Sequence, residues 1–100
     1  MIRATDSSST FDLAKYAAEQ LRPLVDQLQG GSLEIDLALG MPFFAEHKKD
    51  WSVSIVVHEG SAIGRQGEYV TYQSLIDTSD DVDFAVLKLR EHLATLKAAA

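Results

Sequence analysis

Three histidines, one cluster of carboxylates and one glycine-rich loop are the parts of this sequence equipped for chemistry. His47, His58 and His92 fall on separate segments, and none is paired with another at metal-ligand spacing. No His-Glu-x-x-His string is present, and no serine sits in a nucleophile elbow. His58-Glu59, together with Asp36, could act as an acid–base group if all three shared a sheet face. A flat, solvated face excludes no water, which makes that a poor setting for catalysis. Asp77, Asp80, Asp81 and Asp83 are dense enough to attract calcium or magnesium, but they lack the alternation and central glycine of a calcium loop. Carboxylates that complement the positive end of a helix explain them better. The loop from Glu59 to Gly67 offers three glycines and Arg65, a set that could cradle an anion. Its spacing fits neither a phosphate-binding loop nor a dinucleotide fingerprint, and no helix follows it directly, so a hairpin loop is the expectation. With no cysteine there is no thiolate chemistry. The expectation is a protein without catalytic residues, metal or cofactor.

The chemistry of recognition is better represented. Glu34 and Asp36 alternate with leucine and isoleucine, which places them on the solvent side of a strand. Tyr69, Thr71 and Gln73 are expected to share that side of the sheet. The segment Gly40–Asp50 holds Met41, Phe43 and Phe44 where a solvated loop is expected. These aromatics either cap the core or anchor a partner. The expected partner-binding set is therefore Glu34, Asp36, Tyr69, Thr71, Gln73, Phe43 and Phe44.

Five elements must position these residues. Leu13, Ala17, Leu21, Leu24 and Leu28 form a helical stripe, with Thr10, or else Ser9, as N-cap. Pro23 within that stripe predicts a kink or a break into two pieces. Gln29-Gly30-Gly31 ends the segment, with a glycine free to turn left-handed. Residues 32–39 alternate strictly, with Leu33, Ile35, Leu37 and Leu39 on one face. Residues 51–58 form the central strand, with Trp51, Val53, Ile55 and Val57 inward and Ser52, Ser54, Val56 and His58 outward. Glu68 to Ile76 forms a third strand, with Val70, Tyr72 and Ile76 inward. The last element is a helix capped by Ser79 or Asp80, whose stripe is Val82, Val86, Leu89, Leu93 and Leu96.

The fold class that follows is α+β, in the order α-β-β-β-α: a three-stranded antiparallel meander with both helices on one face. Residues 10–97 form the single domain, 1–9 a flexible N-terminal arm, and 98–100 a frayed end. The net charge is −6, and each half of the chain carries three more acidic than basic residues. That balance disfavours nucleic acid and anionic membranes, which are approached through positive charge. The sequence shows no signal peptide and no apolar run long enough to span a bilayer. Absence of cysteine favours a reducing, cytoplasmic setting.

The element order resembles that of double-stranded-RNA-binding domains. The string His47-Lys48-Lys49-Asp50-Trp51 is similar to the basic loop between their first two strands. Those domains grip phosphates with lysines at the start of the last helix, where this chain has Ser79-Asp80-Asp81-Val82-Asp83. The resemblance is one of topology and implies no shared function.

The function expected from these readings is an acidic, non-catalytic protein-interaction module: an adaptor, regulator or inhibitor. It would act through its open sheet face and adjacent loops on a protein partner with a basic surface. Two alternatives are a weak RNA- or DNA-binding domain using Lys48, Lys49 and Arg65, and a small enzyme or enzyme subunit using His58. An edge strand or the open face could also support a homodimer.

Overall fold

A computed structural model of the chain describes residues 2–3, 6–39, 51–60 and 69–99. The elements are α1 (Ser7–Val25), β1 (Ser32–Leu39), β2 (Trp51–Glu59), β3 (Tyr69–Ile76) and α2 (Ser79–Ala99). The strands form one antiparallel sheet in the order β1-β2-β3. The expected α-β-β-β-α fold is the one observed.

Helix α1 starts earlier than the stripe alone predicts. Its N-cap is Asp6, not Thr10 or Ser9. The Asp6 carboxylate accepts the Ser9 backbone N–H at 2.8 Å, and the Ser9 hydroxyl accepts the Asp6 backbone N–H at 3.1 Å. This reciprocal pair satisfies two donors that a helix end leaves without intrahelical partners. Thr10 is instead fully buried in the first turn, its hydroxyl donating to the Asp6 carbonyl. Residues 7–9 of the expected arm are thus helical. Ile2 is also held: its N–H donates to the Ser79 hydroxyl at 3.2 Å, and its carbonyl accepts the Ser79 N–H at 2.9 Å.

Pro23 does not break the helix, which continues to Val25. The proline sits in the last turn, where little helix remains to be disrupted. Asp26 caps the end, a turn follows, and Gly30 takes φ +64°. The left-handed glycine expected there is present. It is also squeezed: a Cβ on Gly30 would lie 1.9 Å from the Gly60 carbonyl oxygen. The Gly60 N–H donates to the Gln29 carbonyl at 2.8 Å, which pins the end of β2 to this turn.

Helix α2 begins at Ser79, so the residue before its first turn is Thr78, where Ser79 or Asp80 was expected. The Asp81 carboxylate accepts from the backbone N–H groups of Asp77 (2.8 Å) and Thr78 (3.1 Å). A carboxylate one turn in, reaching back to the chain before the helix, closes this end as Ser9 does in α1. The helix extends through Ala99, beyond the expected frayed boundary.

Both helices lie on one sheet face. Leu13, Ala14, Ala17, Leu21 and Val25 of α1 and Val82, Ala85, Leu89 and Leu93 of α2 meet Val53, Ile55, Val57 and Ile76 of the sheet. Tyr16 lies beside Asp83, and Leu24 and Gln27 lie beside Arg90, Leu93 and Lys97, so the helices run parallel. The Tyr16 hydroxyl donates to Asp83 at 2.6 Å. That bond, then desolvation, raises the phenol above its ordinary pKa.

Three outcomes are expected from this packing. Ile55→Asp places an unpaired charge in the centre of the core and should abolish the cooperative melt. Gly30→Ala should lower stability by about 2–3 kcal/mol, combining left-handed strain with loss of one hydrogen bond, as read by urea denaturation. For Asp6, the Ser9 backbone bond, then the Ser9 hydroxyl, holds the carboxyl below its ordinary pKa. A depressed carboxyl stabilises the fold above its unfolded value and loses that contribution as pH falls through its folded value. The stability gap between wild type and Asp6→Asn, measured by thermal melting, should therefore close in acid.

Candidate functional site

The sheet has two chemically different faces, and a register shift in β3 decides which residues lie on each. On the covered side Leu33, Val57 and Tyr72 align, as do Leu37, Val53 and Ile76. On the other side Asp36, Ser54 and Leu75 form one row, and Glu34, Val56 and Gln73 form the next. Between Val57 and His58 the pairing slips by one residue, so Val70, not Thr71, stands opposite His58. A bulge of this kind inserts one residue and reverses the alternation beyond it.

The slip overturns two expected placements. Val70, expected inward, is 46% exposed beside His58. Thr71, expected on the open face, donates its hydroxyl to Glu59 Oε1 at 2.7 Å. Tyr69 stands opposite Glu59 in the backbone register, beyond the slip. Of the residues expected to bind a partner, Glu34, Asp36 and Gln73 lie exposed on the open face. Phe43 and Phe44 lie outside the described residues, as do Lys48, Lys49, Arg65 and most of the glycine-rich loop.

The open face is consequently less uniformly acidic than expected. Its β1 side carries Glu34 and Asp36, its centre Ser52, Ser54, Val56 and His58, and its β3 side Gln73, Val70 and the 54%-exposed Leu75. His58 Nε2 lies 3.6 Å from Glu34 Oε1. The surface therefore grades from acidic to apolar across three strands, about 10 Å from edge to edge.

His58 and Asp36 lie on the open face and Glu59 on the covered one, so the three do not share a sheet face. Glu59 has a different histidine partner: its Oε1 lies 2.6 Å from His92 Nε2 on α2. Glu59 is only 5% exposed, and its bonds to Thr71 and His92 join β2, β3 and α2. Sequence reasoning missed this group because its members are far apart in the chain and the bulge hid the face of Thr71. The signal within reach was Glu59 itself, which continues the inward alternation of Val53, Ile55 and Val57.

The geometry of this group argues for a clamp. A nucleophilic relay requires the hydroxyl to give its proton to the imidazole while the carboxylate orients the far side of the ring. Here both contacts converge on one carboxylate oxygen, so the Thr71 hydroxyl is not activated by His92. Two surface grooves formed by described residues, one along α1 at Arg22 and Pro23 and one between the helices at Leu24 and Leu93, include neither Thr71 nor His92. At the acidic start of α2 two carboxylates are engaged, Asp81 by backbone N–H groups and Asp83 by Tyr16. Among the described residues no group of three or more His, Asp or Glu side chains is placed to hold a metal ion. No helix among them is long and apolar enough to cross a membrane.

No family model, curated protein or solved structure matches the chain.

The clamp has measurable consequences. His92→Ala and Thr71→Val should each lower stability by about 1–3 kcal/mol in urea denaturation, since each leaves a buried acceptor short of a donor. Their effects should be non-additive, because both act on one oxygen. Unchanged stability in His92→Ala would show that the 2.6 Å contact does not hold α2 to the sheet.

Proposed function

We propose that the protein is a non-catalytic protein-binding module, a regulator, adaptor or inhibitor, that receives a partner protein on the uncovered face of its sheet. The observation that carries this reading is the composition of that face: Val56 lies beside exposed Glu34, and exposed Val70 and Leu75 stand on β3, across the sheet from Glu34 and Asp36. An apolar patch rimmed by charge is the general make-up of an interface, in which the apolar part holds and the charged rim steers. The matching partner presents an apolar patch bordered by lysine or arginine. A cytoplasmic setting suits a chain that has no cysteine.

The test is kinetic, on the partner recovered by affinity capture. Glu34→Lys with Asp36→Lys should fold normally, since both positions are exposed. It should slow association by tenfold or more at low salt and flatten the salt dependence. Leu75→Ala should act mainly on dissociation, making it faster. Unchanged association and dissociation rates in both variants would eliminate this face as the docking surface.

A further inference from the structure

The strand most exposed to an incoming backbone is β1. It lies at the edge of the sheet, and its outer side pairs with no strand among the described residues. Edge strands are usually blunted by proline, charged side chains, a bulge or a covering element, and of these β1 shows only the charges of Glu34 and Asp36, which would select a basic partner. Ser32–Leu39 contains no proline, lysine or glycine, and its register with β2 is unbroken from Ser32↔His58 to Leu39↔Trp51. The opposite edge, β3, is interrupted by its bulge. Of the two edges, β1 is the regular one.

Burial along β1 is also incomplete. Val53, Ile55 and Val57 of β2 are fully covered by the helices, whereas Leu33, Ile35 and Leu37 of β1 are only half-buried. They sit on the edge strand, next to the position that a fourth strand would fill. On the reverse side Glu34 and Asp36 are exposed and separated by one residue, so an added strand would meet two carboxylates on that face.

These three features select an occupant. We infer that β1 accepts an extended segment of a partner protein as a fourth strand, in which apolar residues alternate with lysine or arginine. The apolar residues extend the row of Leu33, Ile35 and Leu37, and the basic residues lie across from Glu34 and Asp36. Strand addition of this kind draws affinity from backbone hydrogen bonds and specificity from alternate side chains. Opposite charges in cross-strand positions favour it. A second copy of this chain is disfavoured. In the registers of fullest antiparallel overlap that keep the apolar rows together, its own Glu34 and Asp36 would face or flank their counterparts. The inference rests on the binding-module reading and gives it a mode and a partner chemistry.

The test uses a defined probe: a capped eight-residue peptide alternating valine and lysine, titrated against the whole protein. Two further peptides carry N-methyl groups, one on every valine amide and the other on every lysine amide. In a strand, successive N–H groups point to opposite sides, so only one of these sets can face β1. The parent peptide should bind, and one methylated form should bind at least tenfold more weakly than the other. Glu34→Gln with Asp36→Asn should weaken parent binding several-fold and flatten its salt dependence, whereas Leu87→Ala, at an exposed position on α2, should leave it unchanged. Hydrogen exchange should slow at alternate amides of residues 32–39. Equal binding of the two methylated peptides, or no binding of the parent, would overturn strand addition. If the captured partner still responds to Leu75→Ala in that case, docking on the open face survives. If it also ignores both the Leu75 and the charge-reversal variants, the two readings fail together.

Discussion

The burial of Val53, Ile55 and Val57 on a single side of β2 is the constraint from which the remaining architecture follows. Side chains on a strand alternate between its faces, so sealing these three commits the strand's other residues to the reverse side. β2 is central, and its register transmits that choice to both neighbours. The helices need only one covered surface. Their apolar stripes, centred on Leu13, Leu21, Val82 and Leu89, meet it from the same side. A single layer of helices on a three-stranded sheet leaves the second sheet face without a cover from the described elements.

Cover by the helices is complete along β2 and incomplete over β1, and the two features of interest lie at the end of the one and along the other. At the far end of β2 the inward alternation reaches Glu59, a carboxylate at a position otherwise suited to an aliphatic side chain. Burying it unpaired would be costly, and the bulge in β3 turns Thr71 toward it while α2 supplies His92. The same bulge turns Val70 outward, adding apolar surface to the open face. At the β1 margin the helix layer ends before Leu33, Ile35 and Leu37 are sealed. One local irregularity and one shortfall in coverage thus account for the chemical character of both sheet surfaces.

The termini of the helices show how short-range bonding sets boundaries that hydrophobic pattern leaves open. In α1 the apolar stripe begins at Leu13, yet the helix starts six residues earlier because Asp6 and Ser9 satisfy each other's backbone groups. In α2 Asp81 performs the corresponding task for Thr78. The carboxylates at the start of α2 look like a candidate cation site in one dimension. In three dimensions two of them are engaged, Asp81 by backbone donors and Asp83 by Tyr16 of the other helix.

What the sequence determined by itself was the periodic part: five elements in order, the inward faces of β1 and β2, the α2 stripe from Val82 to Leu93 though not Leu96, which is exposed, and the turn at Gly30. Repeats of 2 and 3.6 residues are properties of consecutive side chains, so they can be read without knowing the fold. Glu34 and Asp36 were placed correctly on the open face for that reason. Only the tertiary structure decided the rest. The face of Thr71 and Val70 depends on a pairing slip against β2, which no period within β3 encodes. The Glu59–His92 pair joins residues 33 positions apart, and its existence depends on how α2 lies across the sheet. The incomplete cover over β1 likewise comes from the reach of two parallel helices over three strands, a property of packed bodies that a linear pattern does not contain.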